Sequence, residues 1–237
     1  HGMDIIEWSA PLIEQNVVRD NLGCGVHVMD SGAQIVSNKI TQNAMYGLKV
    51  IGCEVVPELE DGGAVATQEV LVFHNAIHNH PESGVLVVNE SCECVIEHNE
   101  IYSNSNHGIE VTRSAPLLRK NSIWNNGVNG VMLLGASVEN KTLGATCQVI
   151  ENMFSGNKFC GVEISNCCPV VSTNTITISD YGILLHNCAA GNIELNVIRE
   201  CCTAGIELRS RASPSVQENT VRDSLGAGIR CLDSATT

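Results

Sequence analysis

Residues 114–134, SAPLLRKNSIWNNGVNGVMLL, carry the pattern that decides the fold, and residues 212–232, ASPSVQENTVRDSLGAGIRCL, repeat it. In both stretches an aliphatic residue precedes Asn by three positions and a second one follows the Asn by two. Gly comes nine residues after the Asn, and apolar residues alternate after it. A pattern that returns along a chain is typical of a repeat architecture.

Nine segments share this frame. Their asparagines are Asn16, Asn38, Asn75, Asn99, Asn121, Asn152, Asn174, Asn196 and Asn219. Their glycines are Gly25, Gly47, Gly84, Gly108, Gly130, Gly161, Gly182, Gly205 and Gly228. Consecutive asparagines are mostly 22 to 24 residues apart, and two intervals are longer, at 37 and 31 residues.

The alternation of apolar and polar residues inside each segment indicates strands rather than helices. Each segment predicts about three short strands whose inward side chains stack on the next coil, about 4.8 Å away. The predicted fold is all-β, a parallel β-helix of about nine coils of ~22 residues. Each Asn is predicted to turn inward at a corner, where its amide bonds the backbone and its twin one coil away.

The bulk composition limits the possible partners. The net charge of −13 argues against a nucleic-acid groove, and no apolar run approaches the ~20 residues of a membrane span. The 12 cysteines are predicted to be reduced core residues, which favours an intracellular compartment, cytoplasmic or nuclear. Two glycosylation sequons, at Asn89 and Asn140, point the other way.

The chain is predicted to be one domain over residues 9–237. The opening His1-Gly2-Met3 looks like a cloning remnant, so residues 1–8 are expected to be a lead-in. Insertions near residues 54–68 and 136–145 leave the coil at the same turn and could frame a groove. The first insertion is acidic, and we include its Glu58, Glu60 and Asp61 among the candidate binding residues.

The repeats resemble the PbH1-type repeats of right-handed parallel β-helix proteins. That group includes pectate lyases, alginate epimerases, periplasmic copper-loading proteins and the β-helix region of certain F-box proteins. The resemblance covers residues 9–235, and the short coils of residues 114–134 and 212–232 look most like the F-box-associated β-helices. It implies a right-handed coil and a rod that recognises protein substrates for ubiquitination, although no F-box segment is visible.

One outward column stands out because the chain has only 3% aromatic residues. Three residues after their asparagines come His78, Tyr102 and Trp124, which are expected to stack as an exposed stripe on adjacent coils. Such rings are common anchors for peptides or sugars. The alternative is that they only cover the sheet.

Chemistry-bearing residues are sparse. His74 and His98 hold the same position one coil apart and are weak metal candidates, as are Cys167, Cys168 and Cys188, so no metal and no cofactor is predicted. Glu110 and Glu163 lie two coils apart in another outward column, and no base is expected to converge on them. No catalytic residue is therefore assigned.

These observations favour a rigid scaffold for protein–protein recognition, part of a larger intracellular protein. The alternative is a carbohydrate-binding or carbohydrate-active β-helix, of the lyase, hydrolase or epimerase kind, which rests on fold analogy. The oligomeric state is left open by the sequence.

Overall fold

In a computed structural model, the chain forms a parallel β-solenoid of about nine coils, as predicted. The structure describes residues 1–52, 69–88, 93–135, 146–233 and 235. Every strand pairing in these ranges is parallel, and equivalent repeat positions lie side by side, as Ile101 and Ile123 do. Each coil contributes to three faces, which we number in chain order from the glycine.

Face 1 follows the glycines, and strands β21 and β23 reach it with their second halves. Its members are β1 (Met3–Ile5), β4 (Val26–Met29), β7 (Leu48–Ile51), β10 (Val85–Val88), β13 (Ile109–Thr112), β16 (Val131–Leu134), β19 (Cys160–Ser165), β21 (Thr175–His186), β23 (Val197–Leu208) and β26 (Ala227–Cys231).

Face 2 precedes the asparagines and forms a nine-stranded sheet. Its members are β2 (Leu12–Glu14), β5 (Ala33–Val36), β8 (Glu69–Phe73), β11 (Glu93–Glu97), β14 (Leu117–Arg119), β17 (Gln148–Ile150), β20 (Val170–Ser172), β22 (Asn192–Glu194) and β24 (Ser215–Gln217).

Face 3 follows the asparagines and holds the first halves of β21 and β23. Its other members are β3 (Val17–Arg19), β6 (Lys39–Thr41), β9 (Ala76–His78), β12 (Glu100–Tyr102), β15 (Ser122–Trp124), β18 (Met153–Ser155) and β25 (Thr220–Arg222). Because β21 and β23 turn the corner unbroken, faces 1 and 3 share one 17-stranded sheet.

The core consists of inward columns of aliphatic side chains. Ile96, three residues before its Asn, and Ile101, two residues after it, are both fully buried, and the same columns are buried in every inner coil. Phe154 is the largest fully buried side chain. Aliphatic columns of constant size let each coil pack on the next without voids.

The nine asparagines form a ladder inside the solenoid. The Oδ1 of Asn121 accepts the backbone N–H and the Nδ2 of Asn99, both at 3.0 Å. Its own Nδ2 donates to the carbonyl of Ile96 at 2.8 Å and to Oδ1 of Asn152 at 3.0 Å. A buried amide with all these partners avoids the cost of an unpaired polar group.

The residue before each ladder asparagine has a left-handed backbone. Its φ lies between 54° and 57° in all nine corners, at Gln15, Ser37, His74, His98, Lys120, Glu151, Thr173, Leu195 and Glu218. A left-handed L-residue costs about 1–2 kcal/mol. The ladder bonds at the next residue offset that cost and hold the corner between faces 2 and 3.

A second ladder, which the sequence analysis missed, runs five residues after the first. Asn104 Nδ2 donates to Oδ1 of Asn126 at 3.1 Å, and Asn126 Nδ2 donates to Oδ1 of Asn157 at 3.0 Å. In the third coil His80 takes the asparagine's place, with its Nδ1 accepting the N–H of Asn43 at 3.2 Å. Its signal in the sequence is an Asn five residues after the frame asparagine in five of the nine repeats.

The solenoid begins earlier than the expected boundary at residue 9. Strand β1 pairs with β4, Met3 opposite Val26. A Cβ on Gly2 would lie 2.7 Å from the carbonyl oxygen of Gly25, the same close approach that requires glycine from Gly25 to Gly205 in this column. Residues 3–5 therefore pair with the next coil as the other strands of face 1 do.

The insertions at residues 54–68 and 136–145 and the acidic Glu58, Glu60 and Asp61 lie outside the described residues. Six of the cysteines that the structure describes are buried, among them Cys147 and Cys160. Burial raises the pKa of both of these thiols. In the described part of the chain no helix is long and apolar enough to cross a membrane.

Candidate functional site

The aromatic stripe on face 3 is a continuous ring stack. The His78 and Tyr102 ring centroids are 4.5 Å apart with an 8° interplanar angle, and those of Tyr102 and Trp124 are 4.5 Å apart at 7°. Strand register creates this geometry, because the three residues are directly opposite each other in β9, β12 and β15.

The stack differs from the expected exposed stripe in two respects. His78 is only 7% exposed. The rings also cover each other's faces, so they present mainly their edges to solvent. Trp124 pairs with Ser155 on its other side, and the small serine leaves one indole face without a ring partner. Sugars and peptides stack on ring faces, so the stripe offers fewer anchors than its composition suggested.

The other sequence candidates are scattered. The rings of His74 and His98 stack with centroids 5.2 Å apart, and Glu97 Oε1 lies 3.3 Å from His98 Nε2, but the described residues there do not bring three ligand atoms together. One described group does gather three possible metal ligands, His1, Asp4 and His27. There the N–H of Cys24 donates to His1 Nδ1 at 3.0 Å, which leaves the neutral ring's proton on Nε2, the atom that faces Asp4.

Face 1 carries a group of interacting polar side chains outside the ladders. We call Asn129, Glu163, His186, Glu207, Arg209 and Arg230 the acid–base patch. Five of them occupy three outward columns: one residue before, two residues after, and four residues after the glycine. Arg230 continues the middle column on the last coil.

Glu163 is at the centre of the patch. Its carboxylate accepts the Nδ2 of Asn129 at 2.6 Å and contacts Nε2 of His186 at 2.9 Å. Burial alone would raise the pKa of Glu163, but these two hydrogen bonds outweigh it and lower the pKa. The carboxylate is therefore ionised at neutral pH.

The Glu163–His186 contact orients the imidazole. Nε2 carries the proton that it donates to Glu163, so Nδ1 has the free lone pair of a base. Nδ1 makes no hydrogen bond with any described residue. The side chains of Glu163 and His186 are 14% and 15% exposed, so the pair is shielded but reachable. This arrangement overturns the expectation that no base converges on Glu163.

Cations lie next to this pair. The backbone N–H of Arg209 bonds the carbonyl of Leu185 at 3.0 Å, which places Arg209 beside His186 one coil further on. Glu207, only 1% exposed, accepts Nε of Arg230 at 2.7 Å and lies 3.6 Å from Nη1 of Arg209. The patch thus combines a base, an orienting carboxylate and two guanidinium groups.

His186 escaped the sequence analysis because it lies outside the column that holds Glu110 and Glu163. It is four residues after Gly182, whereas Glu163 is two residues after Gly161. Aligning the fourth position after each glycine would have shown a histidine diagonal to a glutamate on adjacent coils. Glu110 itself accepts the hydroxyl of Ser83 at 2.9 Å and is not joined to Glu163.

A separate cleft of about 580 Å³ opens on face 3, across the first three coils. The strands β3, β6 and β9 and the turns after them line it, with Arg19, Lys39, Thr41, Gln42, His78 and Asn79. His78 is the one sequence candidate that belongs to both the ring stack and this cleft.

Comparison with known proteins agrees with the fold. The sequence model of the family described as "Right handed beta helix region" matches residues 1–146 and 118–237. Two curated relatives are mannuronan C5-epimerases. That of Pseudomonas syringae pv. tomato is 28% identical over 131 residues, 54% of this chain and 21% of the relative. That of Pseudomonas putida is 25% identical over 165 residues, which are 68% of this chain and 28% of the relative.

The chain therefore spans less than a third of either relative. Among solved structures, a mutant of the periplasmic alginate epimerase AlgG is similar over 90% of this chain and 48% of its own, with 13% identity and a TM-score of 0.48. An alginate lyase from Paenibacillus sp. is similar over 96% of this chain and 99% of its own, with 11% identity and a TM-score of 0.48. These two likenesses are too weak to support an inference about function.

None of the proteins named here is an F-box protein, so the F-box part of the resemblance has no support. Carbohydrate-active relatives agree better with the alternative interpretation of the sequence than with the protein-binding scaffold.

Proposed function

Because this chain belongs to the right-handed β-helix family, we propose that it is a carbohydrate-active member, and that face 1 is the surface that meets an acidic polysaccharide of the mannuronan type. The observation that carries the proposal is the Glu163–His186 pair, with an ionised carboxylate on one ring nitrogen and a free lone pair on the other. The names of the two relatives supply the substrate class.

The chemistry that this patch suits is proton abstraction next to a carboxyl group. In a uronate residue, C5 bears a hydrogen and the carboxylate. His186 Nδ1 takes the C5 proton, and the C–H electron pair delocalises into the carboxylate. Glu163 stabilises the imidazolium that forms, in the manner of a histidine–carboxylate pair.

The developing charge on the uronate needs a cation. We assign this role to Arg209, whose backbone lies beside that of His186 one coil further on, while Arg230 holds Glu207 so that this buried carboxylate does not oppose the substrate. Return of a proton from solvent water to the opposite side of C5 gives the epimer, whereas departure of the C4 oxygen, protonated by water, gives elimination. Both outcomes share the first step.

The shared step defines the test. Mannuronan is incubated with the chain in D2O, and deuterium at C5 is followed by NMR, together with the ultraviolet absorbance of any unsaturated product. His186→Asn is expected to lower deuterium incorporation by at least about 100-fold, the usual contribution of a general base. The matched control is His74→Asn, the same substitution at an exposed corner of face 2.

Circular dichroism establishes that both variants are folded. If His186→Asn exchanges as fast as the unchanged chain, His186 is not the base. If the unchanged chain incorporates no deuterium into mannuronan or other polyuronates, the activity itself is refuted.

A further inference from the structure

We infer that the cleft on face 3, at the first three coils, is a carboxylate-binding site for an acidic sugar, separate from the acid–base patch. The choice of a uronate as its ligand rests on the proposed function. The existence of the cleft and the positive charge of its lining do not depend on the proposed function.

Charge is the first argument. The chain carries a net charge of −13, yet the described residues that line the cleft include Arg19 and Lys39 and no acidic side chain. Lys39 is exposed and forms no ion pair in the described part of the chain. Arg19 lies 3.6 Å from Asp20, but both side chains are more than 60% exposed, and such pairs are weak in water. Two cations are therefore available to an anion.

An unsatisfied buried atom is the second argument. His78 is 7% exposed and lines the cleft, and its Nε2 is buried without a hydrogen-bond partner. Its Nδ1 lies 3.2 Å from the hydroxyl of Thr41. When Thr41 donates to Nδ1, the ring proton is on Nε2, where it is a donor that lacks an acceptor. A buried polar group left in this state costs about 1–3 kcal/mol, which a bound acceptor would remove.

The pKa of His78 agrees with a neutral ring in the empty cleft. Burial lowers this pKa first, and the nearby charge of Lys39 lowers it further, while hydrogen bonding with the Asn79 side chain raises it. A neutral imidazole with its proton on Nε2 is a hydrogen-bond donor to a carboxylate oxygen rather than a partner for a cation. The flat carboxylate can also engage the guanidinium of Arg19 through two oxygens.

The surroundings favour a sugar that carries the carboxylate. The side-chain amides of Gln42 and Asn79 line the same cleft and suit hydroxyl groups. The ring stack leads away from His78 through Tyr102 to Trp124, whose free indole face lies two coils further along the axis. Two coils correspond to about 10 Å, the scale of a disaccharide.

The test reads His78 directly. The full chain is labelled with ¹⁵N at histidine and titrated with a short oligomannuronate, and the His78 Nε2 resonance is followed. A saturable shift is expected. Lys39→Gln and Arg19→Gln are each expected to weaken the apparent affinity about tenfold, the scale of one charge-assisted contact. Both residues are exposed, so the fold is expected to survive.

Matched controls come from the same chain. Arg222→Gln changes the same outward column of face 3 at the opposite end, and Lys120→Gln changes an exposed lysine at a corner. Neither is expected to alter the titration. A neutral manno-oligosaccharide is expected to leave the His78 resonance in place. Inorganic phosphate tests whether any anion suffices.

The site assignment is overturned if Lys39→Gln and Arg19→Gln bind like the unchanged chain, or if the neutral oligosaccharide shifts His78 equally. Phosphate binding as tight as that of the uronate would overturn the sugar assignment. The two proposals fail separately. Binding that persists in His186→Asn without deuterium exchange supports the cleft alone, whereas exchange without any His78 shift supports the patch alone.

Discussion

The asparagine ladder and the acid–base patch both hold buried polar groups, but one repeats and the other does not. In the ladder, nine identical residues bond to one another with the same geometry from coil to coil. In the patch, Asn129, Glu163 and His186 come from three different coils and three different columns. Identical neighbours satisfy each other and leave nothing for a ligand. Unlike neighbours can leave one atom free, as the patch does at His186 Nδ1.

The ladder side of this comparison is the more sensitive to substitution. Asn121→Ala removes the acceptor of two Asn99 donors and the donor to Ile96. Buried partners without hydrogen bonds cost about 1–3 kcal/mol each. We expect the free energy of unfolding to fall by about 3 kcal/mol, measured by urea denaturation.

The control for that experiment is Asn106→Ala, a partly exposed asparagine outside both ladders. The free energy of unfolding of this variant is expected to stay within about 0.5 kcal/mol of that of the unchanged chain. Equal effects at positions 106 and 121 would mean that the ladder contributes no special stability.

The patch side is expected to respond in activity rather than in stability. Glu163→Gln keeps the shape of the side chain and removes the charge that stabilises the His186 imidazolium. We expect C5 deuterium exchange to fall about tenfold, equivalent to 1.4 kcal/mol of transition-state stabilisation. Glu194→Gln, on face 2, is the matched control, because its carboxylate accepts only an exposed glutamine amide.

The pH profile provides a second readout of the same variant. If Glu163 acts through His186, its loss changes the pH dependence of the exchange rate as well as its size. An unchanged profile with a slower rate would assign Glu163 a packing role only.

His80 replaces the asparagine of the second ladder between Asn43 and Asn104, and it is expected to make stability depend on pH. Burial lowers its pKa, while hydrogen bonding with the backbone of Ile40 and Asn43 acts in the opposite direction. Since the unfolded histidine binds a proton more readily, this contribution to stability is full above the unfolded pKa of about 6.5 and is lost as the pH falls below it.

The measurement is urea unfolding on both sides of that pKa, compared with His80→Asn, which restores the ladder residue. His78 and His107 also have pKa values lowered mainly by burial. The stability of His80→Asn is therefore expected to keep some dependence on pH. A smaller slope in His80→Asn is the expected result. The same slope in both proteins would assign the effect to the other two histidines.

The sequence predicted the parts of this molecule that repeat. Nine aligned asparagines and glycines were enough for the strands, the inward columns and the stack of His78, Tyr102 and Trp124, because parallel register places equivalent residues side by side. The burial of His78 was not predictable in this way, since it depends on what surrounds the cleft. The Glu163–His186 pair was missed because a diagonal contact joins different columns, and column alignment compares only like positions.

The close stacking of successive glycines also determines how far the destabilising effect of a substitution extends along the solenoid. Each coil touches only the coils before and after it, so stability is approximately a sum of coil terms and nearest-neighbour terms along one dimension. Substitution of Asn121 would destabilise the neighbouring coils of Asn99 and Asn152 most. Amide exchange rates in coils further away would approach those of the unchanged chain. In native-state hydrogen exchange, the protection of each coil would therefore depend on its distance from the substituted coil along the solenoid axis.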